Sequence, residues 1–365
     1  MLVCVRAREP RVDRVVTLTH SHEPLRSGAW LAVLAAIAFG VTTPFIQRLG
    51  GSAHPLTTAA LLYGGAALAT IGRSQTGKEA PVTRAHAPRL IAVGVFGAAL
   101  APTALAWGLG RTSASSASLL LNLEAVFTVL LARALHAEAI GGRVAVAVSL
   151  MVAGGAVLVL GGGLAGASVL GLLAVAFATL GWALDNSLTR PLADLDPAAV
   201  VRWKAIVGAT LATIASRALR ESVPTAGQAL GLLACGATGY GLSLRFYLKA
   251  QRTLGAARTG SIFAVAPFVG VGAALALGDR PPLLPLLGAS ALFGVAVYLH
   301  VTEKHRHAHT HEPMDHDHAH RHDDGHHDHV HDPPVVGAHA HPHHHATLRH
   351  DHPHAPDLHH HHRHQ

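Results

Sequence analysis

Twenty-five of the chain's 31 histidines fall between His305 and Gln365, many of them spaced as His-x-His. The run holds His305, His307, His309, His311, His316, His318, His320, His322, His326, His327, His329 and His331, and continues through Asp351-His352-Pro353-His354 to His359–His362. Neutral imidazole ligates borderline transition metals, and a chain with a ring at every second residue can fold several around one ion. Aspartates threaded among them (Asp315, Asp317, Asp323, Asp324, Asp328) can ligate or orient the rings, and the tail has no cysteine to select Cu(I). The ions that fit are Zn²⁺, Ni²⁺, Co²⁺ and Cu²⁺, held by the tail and not required as a cofactor. The plainer alternative is a polar terminus that only solvates the chain end. With almost no apolar residues the tail cannot bury a core, so it is expected to be disordered without metal.

A second set of reactive groups sits in apolar surroundings. Asn122 and Glu124 lie near the middle of one apolar run, and Asp185 with Asn186 near the end of another. Polar groups in hydrocarbon are costly and usually face a cavity or a partner, so these acids are candidates to bind a cationic substrate or take a coupling proton. The alternative is pairing with Ser, Thr or backbone across a helix interface. Trp107, Trp182 and Tyr240 could wall a pocket for an organic molecule, although interfacial belts use the same residues. These seven form the expected substrate path. Trp30 reads as an interface anchor, and Glu138 and Asp279 as caps or gates at span ends. His54, His86 and His136 fall in or beside loops and make no ligand pair. No P-loop, His-Glu-x-x-His or Gly-x-Ser-x-Gly is present, so no catalytic residues and no enzymatic activity are expected.

The elements that must position these groups are apolar helices. Charged residues make up 13% of the chain against roughly a quarter in a soluble domain. A bilayer core about 30 Å thick needs about 20 apolar residues per helix. Ten runs meet this need, near 28–47, 54–72, 89–109, 113–133, 143–162, 168–189, 198–217, 227–248, 257–278 and 283–302. The seventh is the weakest, because Arg202 and Lys204 near its start would have to snorkel to an interface. With both termini cytoplasmic, the inner segments carry 18 Lys or Arg and the outer ones five: Arg48, Arg111, Arg217, Arg220 and Arg280. That is the positive-inside bias. The arginines therefore report topology and not nucleic-acid binding. Residues 1–27 form an Arg-rich cytoplasmic arm, followed by a retained first span without a small-residue cleavage site. Cys4 and Cys235 are too far apart in sequence to suggest a disulfide framework.

The halves resemble each other. Leu109-Gly110-Arg111-Thr112-Ser113 leads through Asn122-Leu123-Glu124-Ala125-Val126-Phe127 to Ala137-Glu138. Leu254-Gly255-Ala256-Ala257-Arg258-Thr259 leads through Ala264-Val265-Ala266-Pro267-Phe268 to Gly278-Asp279, an offset of about 141 to 142 residues over the later part of the stretch. Five spans per half is odd, so the second unit must enter the membrane inverted, an arrangement common among transporters. In these stretches, and in Gly181-Trp182-Ala183-Leu184-Asp185-Asn186, the chain resembles the ten-helix EamA-type members of the drug/metabolite transporter superfamily. The resemblance covers about residues 28–302. It departs at Ala125, where a proline is usual and whose absence should straighten the fourth helix, at Asp279 for glutamate, and at Asp185 for an aromatic residue.

The resemblance implies an all-α integral membrane protein with a first five-helix repeat (28–162) and an inverted second (168–302); the histidine tail (305–365) lies outside it. It further implies a secondary transporter in the plasma (inner) membrane, exporting a small metabolite, and the histidine tail adds a metal-related solute as candidate cargo. Its partners would be the lipid bilayer and a small-molecule or metal substrate, with a homodimer left open. The competing readings are an amino-acid or drug exporter with an incidental tail, and a membrane-anchored protein that stores or senses metal.

Overall fold

A computed structural model describes residues 23–50, 54–71, 80–136, 141–164, 168–192, 195–254, 256–301, 306–311, 314–320, 339–345 and 348–353. Outside the tail it is helical. The helices are α1 (Glu23–Gly40), α2 (Thr42–Gly50), α3 (Pro55–Ala69), α4 (Ala87–Val93), α5 (Ala101–Leu109), α6 (Ala114–Leu120), α7 (Leu123–His136) and α8 (Gly142–Leu164). There follow α9 (Val169–Thr189), α10 (Pro197–Ala218), α11 (Ala226–Cys235), α12 (Ser243–Leu254), α13 (Ala256–Phe263), α14 (Ala266–Ala276) and α15 (Leu283–Val301). Each of the ten apolar runs is thus helical in whole or large part. Among the described residues six helical stretches are long and apolar enough to cross a membrane: Gly28–Gly50, Arg84–Leu109, Ala114–Leu135, Gly142–Gly161, Val169–Thr189 and Pro197–Ala218. The apolar helices Pro55–Ala69, Ala266–Ala276 and Leu283–Leu299 are shorter.

The outside of the bundle carries many large apolar side chains. Leu160, Leu170, Ile214, Leu230 and Leu284 are all exposed, whereas the interior is built largely from alanine, leucine and glycine. A soluble fold would bury such side chains. Exposed on long helices, they are suited to hydrocarbon. Inside, small residues let backbones approach, since lipid supplies no hydrophobic force between helices. A β-carbon at Gly236 would overlap the Leu62 carbonyl of α3.

Two helical runs carry π-helical turns, Gly94–Leu100 between α4 and α5 and Gly236–Leu242 between α11 and α12, again about 142 residues apart. The packing follows the same offset. The first π-turn lies against α10 and the second against α3; α5 packs on α9 as α12 packs on α1. Helices α3 and α10 pack on each other, as do α8 and α15, and α6 and α14.

Two expectations need correction. The fourth run is not straightened by Ala125: a turn at Leu121–Asn122 divides α6 from α7. The Asn122 side chain donates to the Leu119 carbonyl at 3.0 Å, and the Asn122 backbone N–H bonds the same oxygen at 3.2 Å. An asparagine competing for helix carbonyls breaks the run without a proline. Lys204 does not snorkel; it is 4% exposed inside the bundle. Four short segments of the tail are described, and they are strands. Strand β1 (Arg306–His311) pairs antiparallel with β4 (Leu348–Pro353), and β2 (Met314–His320) with β3 (His339–His345). Backbone pairing needs no apolar core, although such two-stranded ribbons are marginal alone in water.

Candidate functional site

Four charged or amide side chains converge where the first half of the chain meets the second. Glu124 stands in the first turn of α7, just after the Asn122 break. Its Oε1 accepts from Asn186 Nδ2 of α9 at 2.6 Å. One residue earlier on α9, Asp185 is buried, and its Oδ2 accepts from Lys204 Nζ of α10. Asp185 Oδ1 accepts from Thr189 Oγ1 one turn on, at 3.2 Å. Lys204 lies seven residues into α10, about 10 Å along its axis. The charges of Asp185 and Lys204 both act on Glu124.

The ion pair is held against the first π-turn. A β-carbon at Gly97 would overlap the Asp185 carboxyl, so glycine is needed for this approach. The turn also frees a carbonyl. Ala101 N–H bonds back to Phe96 O, and Pro102 has no N–H to offer Gly97 O. That oxygen is taken by Tyr63 Oη at 2.6 Å and Trp182 Nε1 at 3.1 Å. A buried carbonyl left unpaired would be costly, so the two donors lock both rings in place. Tyr240, on the second π-turn, stacks on them with centroids 5.3 Å from Tyr63 and 6.3 Å from Trp182. Phe39 meets Trp182 edge-on at 5.9 Å and Tyr240 at 5.7 Å. Tyr247 and Phe263 extend the aromatic wall.

Of the seven residues expected along a substrate path, Glu124, Asp185, Asn186, Trp182 and Tyr240 meet in this region. Asn122 makes the helix break. Trp107 lies apart, under the Arg111 guanidinium at 3.8 Å, near the α5–α6 turn. The sequence reading missed Lys204, Tyr63 and Phe39. An isolated lysine inside an apolar run was the available signal for the first. The other two give none, because aromatic residues are ordinary in such helices.

A separate recess of about 170 Å³ is lined by Pro44, Gln47, Arg48, Ala114, Ala274, Leu277, Gly278 and Asp279. At its edge the Asp279 carboxylate accepts from Ser115 N at 2.8 Å and Ser115 Oγ at 2.7 Å, which ties α14 to the start of α6. Gln47 Nε2 ties α2 to the turn after α5 through Leu109 O and Thr112 O. Glu138 lies outside the described residues.

Among the described residues no three His, Cys, Asp or Glu side chains are grouped to hold a metal ion. Of the tail histidines named above, His307, His309, His311, His316, His318 and His320 fall on β1 and β2. His305, His322, His326, His327, His329 and His331 lie outside the described residues.

Comparison with known proteins accords with this arrangement. Residues 26–160 match the EamA-like transporter family. A solved crystal structure, described only as that of a protein, is 21% identical with a TM-score of 0.55; the match covers 75% of this chain and 96% of the other. It supports the fold alone. No curated protein matches. The family's members carry small solutes across membranes and are not enzymes. Over residues 26–160 the chain is similar to the EamA-like transporter family, and its long apolar helices are those of a multi-pass membrane protein.

Proposed function

We propose that the protein is a ten-span secondary transporter of two inverted five-helix units, exporting a small metabolite or metal-related solute across the plasma membrane. Both termini are cytoplasmic, and the tail 305–365 binds divalent transition metal. One observation carries the transport reading: Glu124 and Asn186, from opposite halves, bond beside a buried Asp185–Lys204 pair inside apolar helices. A membrane anchor has no need of charges at such depth, whereas a solute path does. The inverted repeat is supported by the matched π-turns and by packing that recurs with the same offset. With Lys204 removed from the count, 17 inner Lys or Arg still face five outer ones. Metal binding is supported by the histidine density and by a register that sets His307 opposite His352 and His316 opposite His343.

The test is transport by the full chain in liposomes, screened over small solutes with and without Zn²⁺, Ni²⁺, Co²⁺ and Cu²⁺. Glu124→Gln should lower transport at least tenfold while leaving membrane insertion intact. A variant that moves every transported solute as fast as the parent would remove Glu124 from the path. A parent that moves nothing while binding metal would favour the storage or sensing alternative.

A further inference from the structure

Two acids tie the same end of the bundle in the same way. Beyond α10 the chain turns through a left-handed residue, Arg220 (φ 54°), and the Glu221 N–H bonds back to Ser216 O at 3.0 Å. Beyond α14 it turns through Gly278 (φ 92°), and the Asp279 N–H bonds back to Ala274 O at 2.9 Å. Both are the αL closure of a helix C-terminus, and each is followed by an acid. Glu221 Oε2 accepts from Thr57 N and Thr57 Oγ1 in the first turn of α3, both at 2.7 Å. Its Oε1 accepts from Leu56 N at 3.2 Å, so it caps a helix whose own His54 side chain caps nothing. Asp279 makes the matching pair of bonds to Ser115 N and Oγ in the first turn of α6. Acid and hydroxyl residue stand 164 positions apart in both cases, so one construction is used twice. Carboxylates are favoured at helix N-termini, and charged hydrogen bonds are strong.

The charge cluster lies toward the other end. Lys204 is near the start of α10, whereas Glu221 follows its last turn, and Asn186 beside the cluster is exposed. Resting on the transporter reading and its topology, we infer that Glu221 and Asp279 are paired latches of an outer gate. They hold α10 to α3 and α14 to α6 while the charge cluster faces the cytoplasm, and both release when the path opens outward. Each latch joins a second-half residue to a first-half one, so motion of one half against the other must break it. The closed contact also carries a cost that opening relieves. Ser118 Oγ is buried between α6 and α14, where a β-carbon at Gly270 would overlap it, and it has no partner among the described residues. A buried hydroxyl left unpaired weighs against the closed state, and water entering an open gate satisfies it. The carboxylates oppose that cost from the rim.

The experiment uses the full chain in liposomes, with Cys4→Ser and Cys235→Ala removing the native thiols and Ser118→Cys as reporter. A membrane-impermeant maleimide sulfonate is applied from the outer side. Adding Glu221→Ala/Asp279→Ala should speed labelling of the reporter at least fivefold. A second reporter, Ala289→Cys, buried in α15, should stay unlabelled, which separates opening of the gate from unfolding. In the converse arm, Thr57→Cys/Glu221→Cys is oxidised to a disulfide that holds the first latch shut. Transport of the solutes that the parent moves in the liposome screen should fall at least tenfold and return on reduction. A double alanine variant whose Ser118→Cys reporter labels no faster, or a cross-linked protein that transports like its reduced form, overturns the inference and leaves both acids as static helix caps. If the double alanine variant does not insert, the cross-link decides. A parent that moves no solute is the separate failure of the transport reading, and the labelling arm then decides the gate.

Discussion

Replacing Lys204 with methionine isolates the energetics of the site. The substitution removes one partner of an ion pair whose two side chains are each 5% exposed. Breaking a buried pair in this way costs about 3–5 kcal/mol, because the remaining charge keeps its desolvation penalty without compensation. Asp185 would retain one hydrogen bond, from Thr189 at 3.2 Å. That bond is worth about 1 kcal/mol, too little to offset the penalty. The loss also has a ceiling, since the stranded carboxyl can take up a proton instead. From an ordinary aspartate value near 3.9, this costs about 1.4 kcal/mol per pH unit, hence about 4 kcal/mol at pH 7 and about 1.5 kcal/mol at pH 5. Proton uptake becomes easier as pH falls, so the deficit against the parent should shrink in acid. Adding Asp185→Asn removes the stranded charge and should restore about 2–3 kcal/mol at pH 7, as expected of directly coupled residues. Unfolding by SDS in mild detergent micelles, followed by tryptophan fluorescence at both pH values, measures each quantity. The reasoning fails if Lys204→Met lies within about 1 kcal/mol of the parent at pH 7. It fails equally if the deficit ignores pH, or if the double variant is no more stable than the single one.

Tyr63→Phe should cost about 1 kcal/mol, because Trp182 still serves the Gly97 carbonyl; adding Trp182→Phe should cost a further 1–3 kcal/mol by orphaning it. Equal, additive losses in the same unfolding assay would show that the two donors do not share one acceptor. Deleting residues 305–365 should leave liposome transport intact and abolish most divalent-metal uptake measured by calorimetry at pH 7.5. In the full chain that uptake should weaken as pH falls through about 6.5, where protons compete for imidazole. Metal binding that survives the deletion would move the metal site into the helices. A reporter fused after Glu303 should be active only on the cytoplasmic side; activity only outside would overturn the ten-span topology and the inverted repeat with it.

The apolar runs, their lengths and the charges between them were legible in the sequence because bilayer thickness and topology act on one segment at a time. The proposed repeat was read for a related reason: a unit used twice would leave the same residues at a fixed offset. Glu124, Asp185 and Asn186 stood out because an acid or amide in hydrocarbon is costly wherever it lies along the chain. The break at Asn122 was not evident from the missing proline, since it depends on a side chain choosing a carbonyl three residues back. Lys204 looked like an interfacial residue until the packing of α9 against the first π-turn brought it to Asp185. Nor could the sequence reveal that Pro102 frees the Gly97 carbonyl and that Tyr63 and Trp182 take it. Periodicity and hydrophobicity are properties of neighbours along the chain. Pairing a buried charge depends on which helices meet, and only the tertiary fold decided that.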